Sequence, residues 1–180
     1  MKNVLILSTS PRVNSNSEAL ADAFGRGAQE SGNAVEKITM RGKHIRFCLG
    51  CFVCQETGKC VIKDDMAPIV EKMLEADVLV FATPIYYYEM SGQMKTLLDR
   101  ANPLFPLDYN FREVYLIASA AEDEDTVPQR ALSGLEGWVE CFPKAKLAGL
   151  VFGGGATLAG EIAGSPALEK AYEMGKAICE

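Results

Sequence analysis

The chain has 180 residues, 48% hydrophobic and 23% charged, a composition that argues against disorder and suits one domain with a real core. Its 18 basic and 24 acidic residues leave a net charge of −6, so no nucleic acid and no anionic membrane is expected as a partner, since both need a basic face. No apolar run approaches the roughly 20 residues that span a bilayer, and the opening run at 4–7 is too short for a signal-peptide core; a cytoplasmic location is expected.

Residues 4–7 form a continuous apolar run, as in a strand buried on both faces. A polar turn follows, and 18–29 then puts Leu20, Phe24, Gly27 and Ala28 on one helical face. Ser15 and Glu18 have capping-box spacing for that helix. A weaker strand is predicted at 35–39, then a cysteine segment at 48–60. Asp64 or Asp65 opens a helix carrying Ile69, Val70, Met73 and Leu74. Residues 78–82 make the clearest strand, ended by Thr83 and Pro84, and Ser91 caps a helix with Met94, Leu97, Leu98 and Ala101 inward. A fourth strand falls at 114–118, and Thr126 with Pro128 starts a helix bearing Leu132, Leu135, Trp138 and Val139. The fifth strand, 147–152, ends at Gly153-Gly154-Gly155, read as a flexible loop near a partner subunit. Ser165-Pro166 opens the last helix, with Leu168, Tyr172 and Ile178 on its apolar side.

Strands alternating with helices require right-handed crossovers, which build a parallel sheet covered on both faces. Five strands match the flavodoxin-like α/β class, doubly wound, in the order 2-1-3-4-5. The expected organisation is a single domain over 1–180, with a cysteine-rich loop at about 44–64. In this class ligands sit at the carboxyl ends of the strands, which directs attention to the loops after strands one, three and four.

The first of these loops, Ser8 through Ser17, is rich in hydroxyls and carries Asn14, Asn16 and Arg12. It leads into a helix N-terminus, whose free N–H groups and partial positive charge suit a phosphate. Neither a Walker A pattern nor a dinucleotide Gly-x-Gly-x-x-Gly is present, which argues for a monophosphate over a triphosphate or a dinucleotide. After strand three, TPIYYYEMSG offers a proline-stiffened turn and three tyrosines, contacts suited to a planar cofactor. After strand four, small residues precede the acids at 122–125.

Cys48, Cys51, Cys54 and Cys60 lie within thirteen residues. Four thiolates suit a [4Fe–4S] cluster or a structural zinc, and two consecutive Cys-x-x spacings are closer to ferredoxin ligation. Free or packed thiols remain the plain alternative. Cys141 and Cys179 stand alone in helical patterns and read as buried small hydrophobes. His44, the sole histidine, reads as a surface residue, and Asp64-Asp65 as a helix cap.

The stretches SPRVNSNSEAL, CLGCFVCQETGKCVIKDDM and ADVLVFATPIYYYEMSGQMKTLLDR resemble the FMN-binding NAD(P)H-dependent reductases of the flavodoxin superfamily, and its iron–sulfur flavoprotein branch in particular. The family usually has Gly before Ser-Pro-Arg, where this chain has Thr9. The resemblance implies FMN phosphate contacts from Ser10, Arg12, Ser15, Asn16 and Ser17. It implies flavin-ring contacts from Pro84, Ile85, Tyr86 and Tyr87, and ring-edge contacts from Ser119, Ala120 and Glu122. It further implies cluster ligation by Cys48, Cys51, Cys54 and Cys60. The expected activity passes electrons from NAD(P)H through FMN to a small acceptor, a quinone or a flavin, with no protein acid or base named. The alternative is an iron–sulfur flavoprotein that relays single electrons to partner proteins; a zinc-stabilised binding domain is a third reading. A homodimer or homotetramer is expected.

Overall fold

The computed structural model describes residues 1–178, so the reading of Cys179 lies outside the described residues. In chain order it runs β1 (Asn3–Ser8), α1 (Asn16–Glu30), β2 (Ala34–Thr39), α2 (Val53–Thr57), α3 (Met66–Glu75), β3 (Val78–Tyr86) and β4 (Glu89–Met90). It continues through α4 (Gly92–Arg100), a 3-10 turn (Asn102–Leu104), β5 (Glu113–Ser119), α5 (Gln129–Val139), β6 (Lys146–Gly153) and α6 (Pro166–Lys176). Five strands make one parallel sheet, β2-β1-β3-β5-β6, and the short β4 pairs antiparallel with the end of β3. With β4 set aside, this is the flavodoxin-like order expected from the alternation of elements.

Successive side chains of a strand point to opposite faces, so a sheet covered on both sides needs unbroken apolar runs. Leu5, Leu7, Leu79, Phe81 and Leu116 face one core, against Met73, Leu97 and Leu135 of α3, α4 and α5. Val4, Ile6, Val78, Val80 and Ile117 face the other, against Leu20, Phe24 and Ala171 of α1 and α6. On that second face the two helices touch backbone to backbone. A Cβ at Gly27 would strike the Tyr172 carbonyl, and one at Gly175 the Phe24 carbonyl.

Three boundaries and one burial differ from expectation. Strand β3 runs through Pro84 to Tyr86. Ala82 turns its carbonyl towards the end of β1, where Thr9 N–H donates to it; Pro84, two residues on, faces the same side after β1 has ended, so its missing donor leaves no gap in the ladder. Helix α5 starts at Gln129 with no side-chain cap, because Thr126 and Val127 are spent in a preceding turn. A short helix, α2, interrupts the cysteine segment. Cys141 is exposed, not buried; it falls in the turn past α5, where Phe142 takes the inward position. No helix among the described residues is long and apolar enough to cross a membrane.

Candidate functional site

Ser8 pairs with Ala82, Pro84 with Ser119, and Ser119 with Gly153, which brings the carboxyl ends of four strands to one edge. The loops leaving them enclose a cleft of about 390 Å³, a volume within the range of small-molecule sites.

The β1 loop is anchored from inside. Thr9 is buried, and its hydroxyl donates to the Ala82 carbonyl at 2.8 Å and stands 3.2 Å from Ser91 Oγ. Its φ is not positive, so the turn does not require the glycine common in relatives. Ser15 Oγ accepts the Glu18 N–H at 3.2 Å and caps α1. The reciprocal half of a capping box is absent, because the Glu18 carboxylate pairs with Lys37 and Arg41 instead. The first N–H groups of α1 have no acceptor within the helix. Beside them the Ser17 hydroxyl is fully buried and has no hydrogen-bond partner among the described residues.

Asn16 has a different role from the one expected of its side chain. Its amide nitrogen donates to the carbonyls of Ala156 (3.1 Å) and Leu158 (2.9 Å), and its oxygen accepts from the N–H groups of Gly160 (3.0 Å) and Ile162 (3.2 Å). Every hydrogen-bonding position of the amide is thereby committed, and the β6 loop is tied to α1. What Asn16 retains for a ligand is its backbone N–H. Arg12 adds a second tie, donating to the Thr157 carbonyl at 2.7 Å.

The opposite wall is a hairpin. Tyr86 pairs with Glu89, and the two residues between them, Tyr87 and Tyr88, have φ of 51° and 65°. A two-residue loop with both φ positive is a type I′ turn, normally built from Asn-Gly. Tyr87 stands 97% exposed at its tip, and the Arg130 guanidinium lies 6.0 Å from the centroid of the Tyr88 ring.

The third wall joins the β5 and β6 loops. Gly155 N–H donates to Glu122 O at 3.2 Å and Ala156 N–H to Ala120 O at 3.0 Å. A Cβ on Gly154 would lie 2.6 Å from Glu122 O, so only glycine permits this approach.

Ser10, Arg12, Ser15, Asn16, Pro84, Ile85, Tyr86, Tyr87, Ser119, Ala120 and Glu122 all line the one cleft, whereas the buried Ser17 does not. Tyr88 and Ala121, from loops the sequence singled out, also line it, as do Ala156, Thr157 and Ala159, which sequence reasoning missed. The signal for the last three was the Gly153-Gly154-Gly155 run, which marks close packing against the β5 loop. His44 is exposed, and Trp138 packs against Phe81, Phe111 and Phe142.

Cys48, Cys51, Cys54 and Cys60 line a separate cavity of about 290 Å³. Cys48 Sγ accepts from Gly50 N–H at 3.4 Å, and Cys54 Sγ from the Asn102 amide at 3.2 Å. At the neck of this loop lies Arg100, whose side chain is 1% exposed. It grips Asp64 with two bonds of 2.7 and 2.9 Å and donates to the Arg46 carbonyl at 2.6 Å. The Arg100 hydrogen bond, against the cost of burial, holds the Asp64 carboxyl at a pKa of about 2. Asp65 stands at the cap position of α3 without a side-chain hydrogen bond into the helix; Asp64, one residue before it, accepts the Met66 N–H at 3.1 Å, but the buried ion pair is its larger role.

A family model described as NADPH-dependent FMN reductase matches residues 2–127, more than half of the chain. The chain belongs to the NADPH-dependent FMN reductase family. An iron-sulfur flavoprotein of Archaeoglobus fulgidus is 40% identical over 103 residues, covering 57% of this chain and 46% of that protein. An iron-sulfur flavoprotein of Methanocaldococcus jannaschii is 39% identical over 101 residues, covering 56% and 52%. The chain therefore spans about half the length of the curated relatives it matches. Among solved structures, an NAD(P)H:quinone oxidoreductase from Methanothermobacter marburgensis has a TM-score of 0.71 at 16% identity, covering 97% of this chain and 96% of that one. An azoreductase from Bacillus anthracis has a TM-score of 0.74 at 15% identity, covering 99% and 100%. At such identities the likeness establishes the fold.

A buried hydroxyl without a partner beside a helix N-terminus is costly unless an acceptor arrives, and a phosphate oxygen is such an acceptor. The cleft fits FMN on that ground. Among the described residues, no three His, Cys, Asp or Glu side chains converge as they would on a single ion, while four thiols surround one cavity. Four cysteines are the donor set that holds a [4Fe–4S] cluster.

Proposed function

We propose that the domain is an oxidoreductase that binds FMN in the cleft and moves electrons from NAD(P)H to a small acceptor, a quinone or a flavin. The observation that carries this reading is the shared cleft: the α1 N-terminus, backed by the unpartnered Ser17 hydroxyl, and the Pro84–Tyr88 hairpin open on one space. Bound FMN supplies the redox chemistry, and the chain binds, orients and shields it. Ser10, Arg12, Ser15, Ser17 and the Asn16 N–H hold the phosphate. Pro84, Ile85, Tyr86 and Tyr87 form the apolar wall for the ring, and Ser119, Ala120 and Glu122 meet its edge. The only histidine, His44, is absent from the lining, in keeping with hydride chemistry that needs no protein base. Full chain loaded with FMN should oxidise NADH or NADPH with a simple quinone and no protein partner. Flavin uptake without any such turnover would overturn the reading.

The four-thiol cavity favours a companion reading, in which Cys48, Cys51, Cys54 and Cys60 hold a [4Fe–4S] cluster and the chain relays single electrons. The relatives named iron-sulfur flavoproteins support it. Iron and sulfide assays on anaerobically purified protein test it. A homodimer or homotetramer belongs to the same proposal; the exposed Phe47, Phe52 and Tyr87 support it, and light scattering of the purified chain tests it.

A further inference from the structure

The cysteine loop is closed by residues from another part of the chain. Arg46 and Asp64 bracket the segment that carries Cys48 to Cys60, and Arg100, the last residue of α4, binds both. Asp64 Oδ2 also accepts the Arg46 N–H at 2.9 Å, and one step out Asp65 accepts the His44 N–H at 2.6 Å. The neck is therefore a closed hydrogen-bonded ring around a buried guanidinium. Two residues beyond Arg100, the Asn102 amide reaches into the loop and donates to Cys54 Sγ at 3.2 Å. Cys54 is the buried member of the four, and Asn102 lines the same cavity.

The geometry points to Arg100 and Asn102 as positioning residues of the four-cysteine site: Arg100 clasps the loop neck so that the thiols face one cavity, and Asn102 holds Cys54 by an N–H···S bond. This inference rests on the reading of the cavity as a cluster site. An amide donor to a ligating sulfur withdraws charge from it, which stabilises the more negative, reduced state and raises the reduction potential. Neither residue lines the FMN cleft, so flavin binding reports independently on folding.

The test is anaerobic reconstitution of the full chain with iron and sulfide, comparing wild type with Asn102→Leu, Asn102→Ser and Arg100→Lys. Leucine removes the donor, and serine keeps a hydroxyl on an arm too short to span the contact. Both Asn102 variants should show a cluster midpoint potential shifted lower by EPR-monitored titration. They should also lose iron to a chelator faster, by about 10-fold, the low end for outer-shell changes. Arg100→Lys keeps the charge and loses the two-pronged grip, so Cys54 of its metal-free form should be alkylated faster than in wild type. Wild type that takes up no iron would overturn the cluster reading and this inference with it. Wild type that loads, beside variants of unchanged potential, iron retention and alkylation rate, would overturn the inference alone.

Discussion

Ser17 and the Tyr87-Tyr88 pair carry the clearest single-residue expectations. The Ser17 hydroxyl is buried without a partner among the described residues; on the proposed phosphate site it is a cost in the FMN-free protein and an asset once FMN is bound. Hydrogen bonds to charged groups contribute about 1.5–3 kcal/mol, so Ser17→Ala should weaken FMN binding at least about tenfold. The same variant should leave FMN-free stability unchanged or slightly raised, as urea denaturation reads it. A residue that merely packed would show the opposite pair of effects. The Tyr87-Tyr88 turn holds two non-glycine residues at positive φ, at roughly 1–2 kcal/mol each. Replacing the pair with Asn-Gly should raise the denaturation midpoint and weaken flavin affinity, since the aromatic wall goes with the strain. Serine-rich loops announce themselves in sequence; a type I′ turn written Tyr-Tyr does not, because no local propensity favours it. The commitment of the Asn16 amide was equally illegible, since its partners lie some 140 residues away, at 156–162.

At the scale of elements, the strands and the helix faces were readable because burial on both faces leaves no choice of residue type. The departures fell where a pairing partner decided the outcome: β3 continues past Pro84 because β4, just across a tight turn, folds back on it, and Gly153-Gly154-Gly155, expected as a flexible loop, is a packed seam against the distant β5 loop. The Arg100–Asp64 pair joins α4 to the start of α3 and has a pH signature. The Asp64 carboxyl is held at about 2, below its unfolded-state value near 3.9. Its contribution is therefore complete above about pH 4 and drains as pH falls towards 2, amounting to about 2–3 kcal/mol by linkage. Denaturation of wild type and Asp64→Asn at pH 5 and pH 3 measures this. The variant should be less stable at pH 5, since a buried guanidinium loses its partner, and the gap should narrow at pH 3. A gap of constant size would contradict the assignment.

Across the whole molecule, the doubly wound sheet gathers its functional loops at one edge because parallel strands share a direction. Strand order made that edge predictable, and eleven of the predicted contact residues meet there in one cleft. What strand order could not supply was the β6 loop's share of the third wall, which is set by the register of β5 with β6 and its bonds to the β5 loop. The four cysteines line their own cavity, together with Asp99 and Asn102 at the carboxyl end of α4, so the two sites have no lining residue in common. The proposed function requires that the α1 N-terminus grip a phosphate while the hairpin receives a flat ring. Calorimetric titration of the flavin-free protein with FMN and with riboflavin, which lacks the phosphate, tests that claim most directly. FMN should bind tighter than riboflavin by at least about 100-fold, given two or more charge-assisted hydrogen bonds to the phosphate. Equal affinity for the two flavins, or no binding of either, would contradict it.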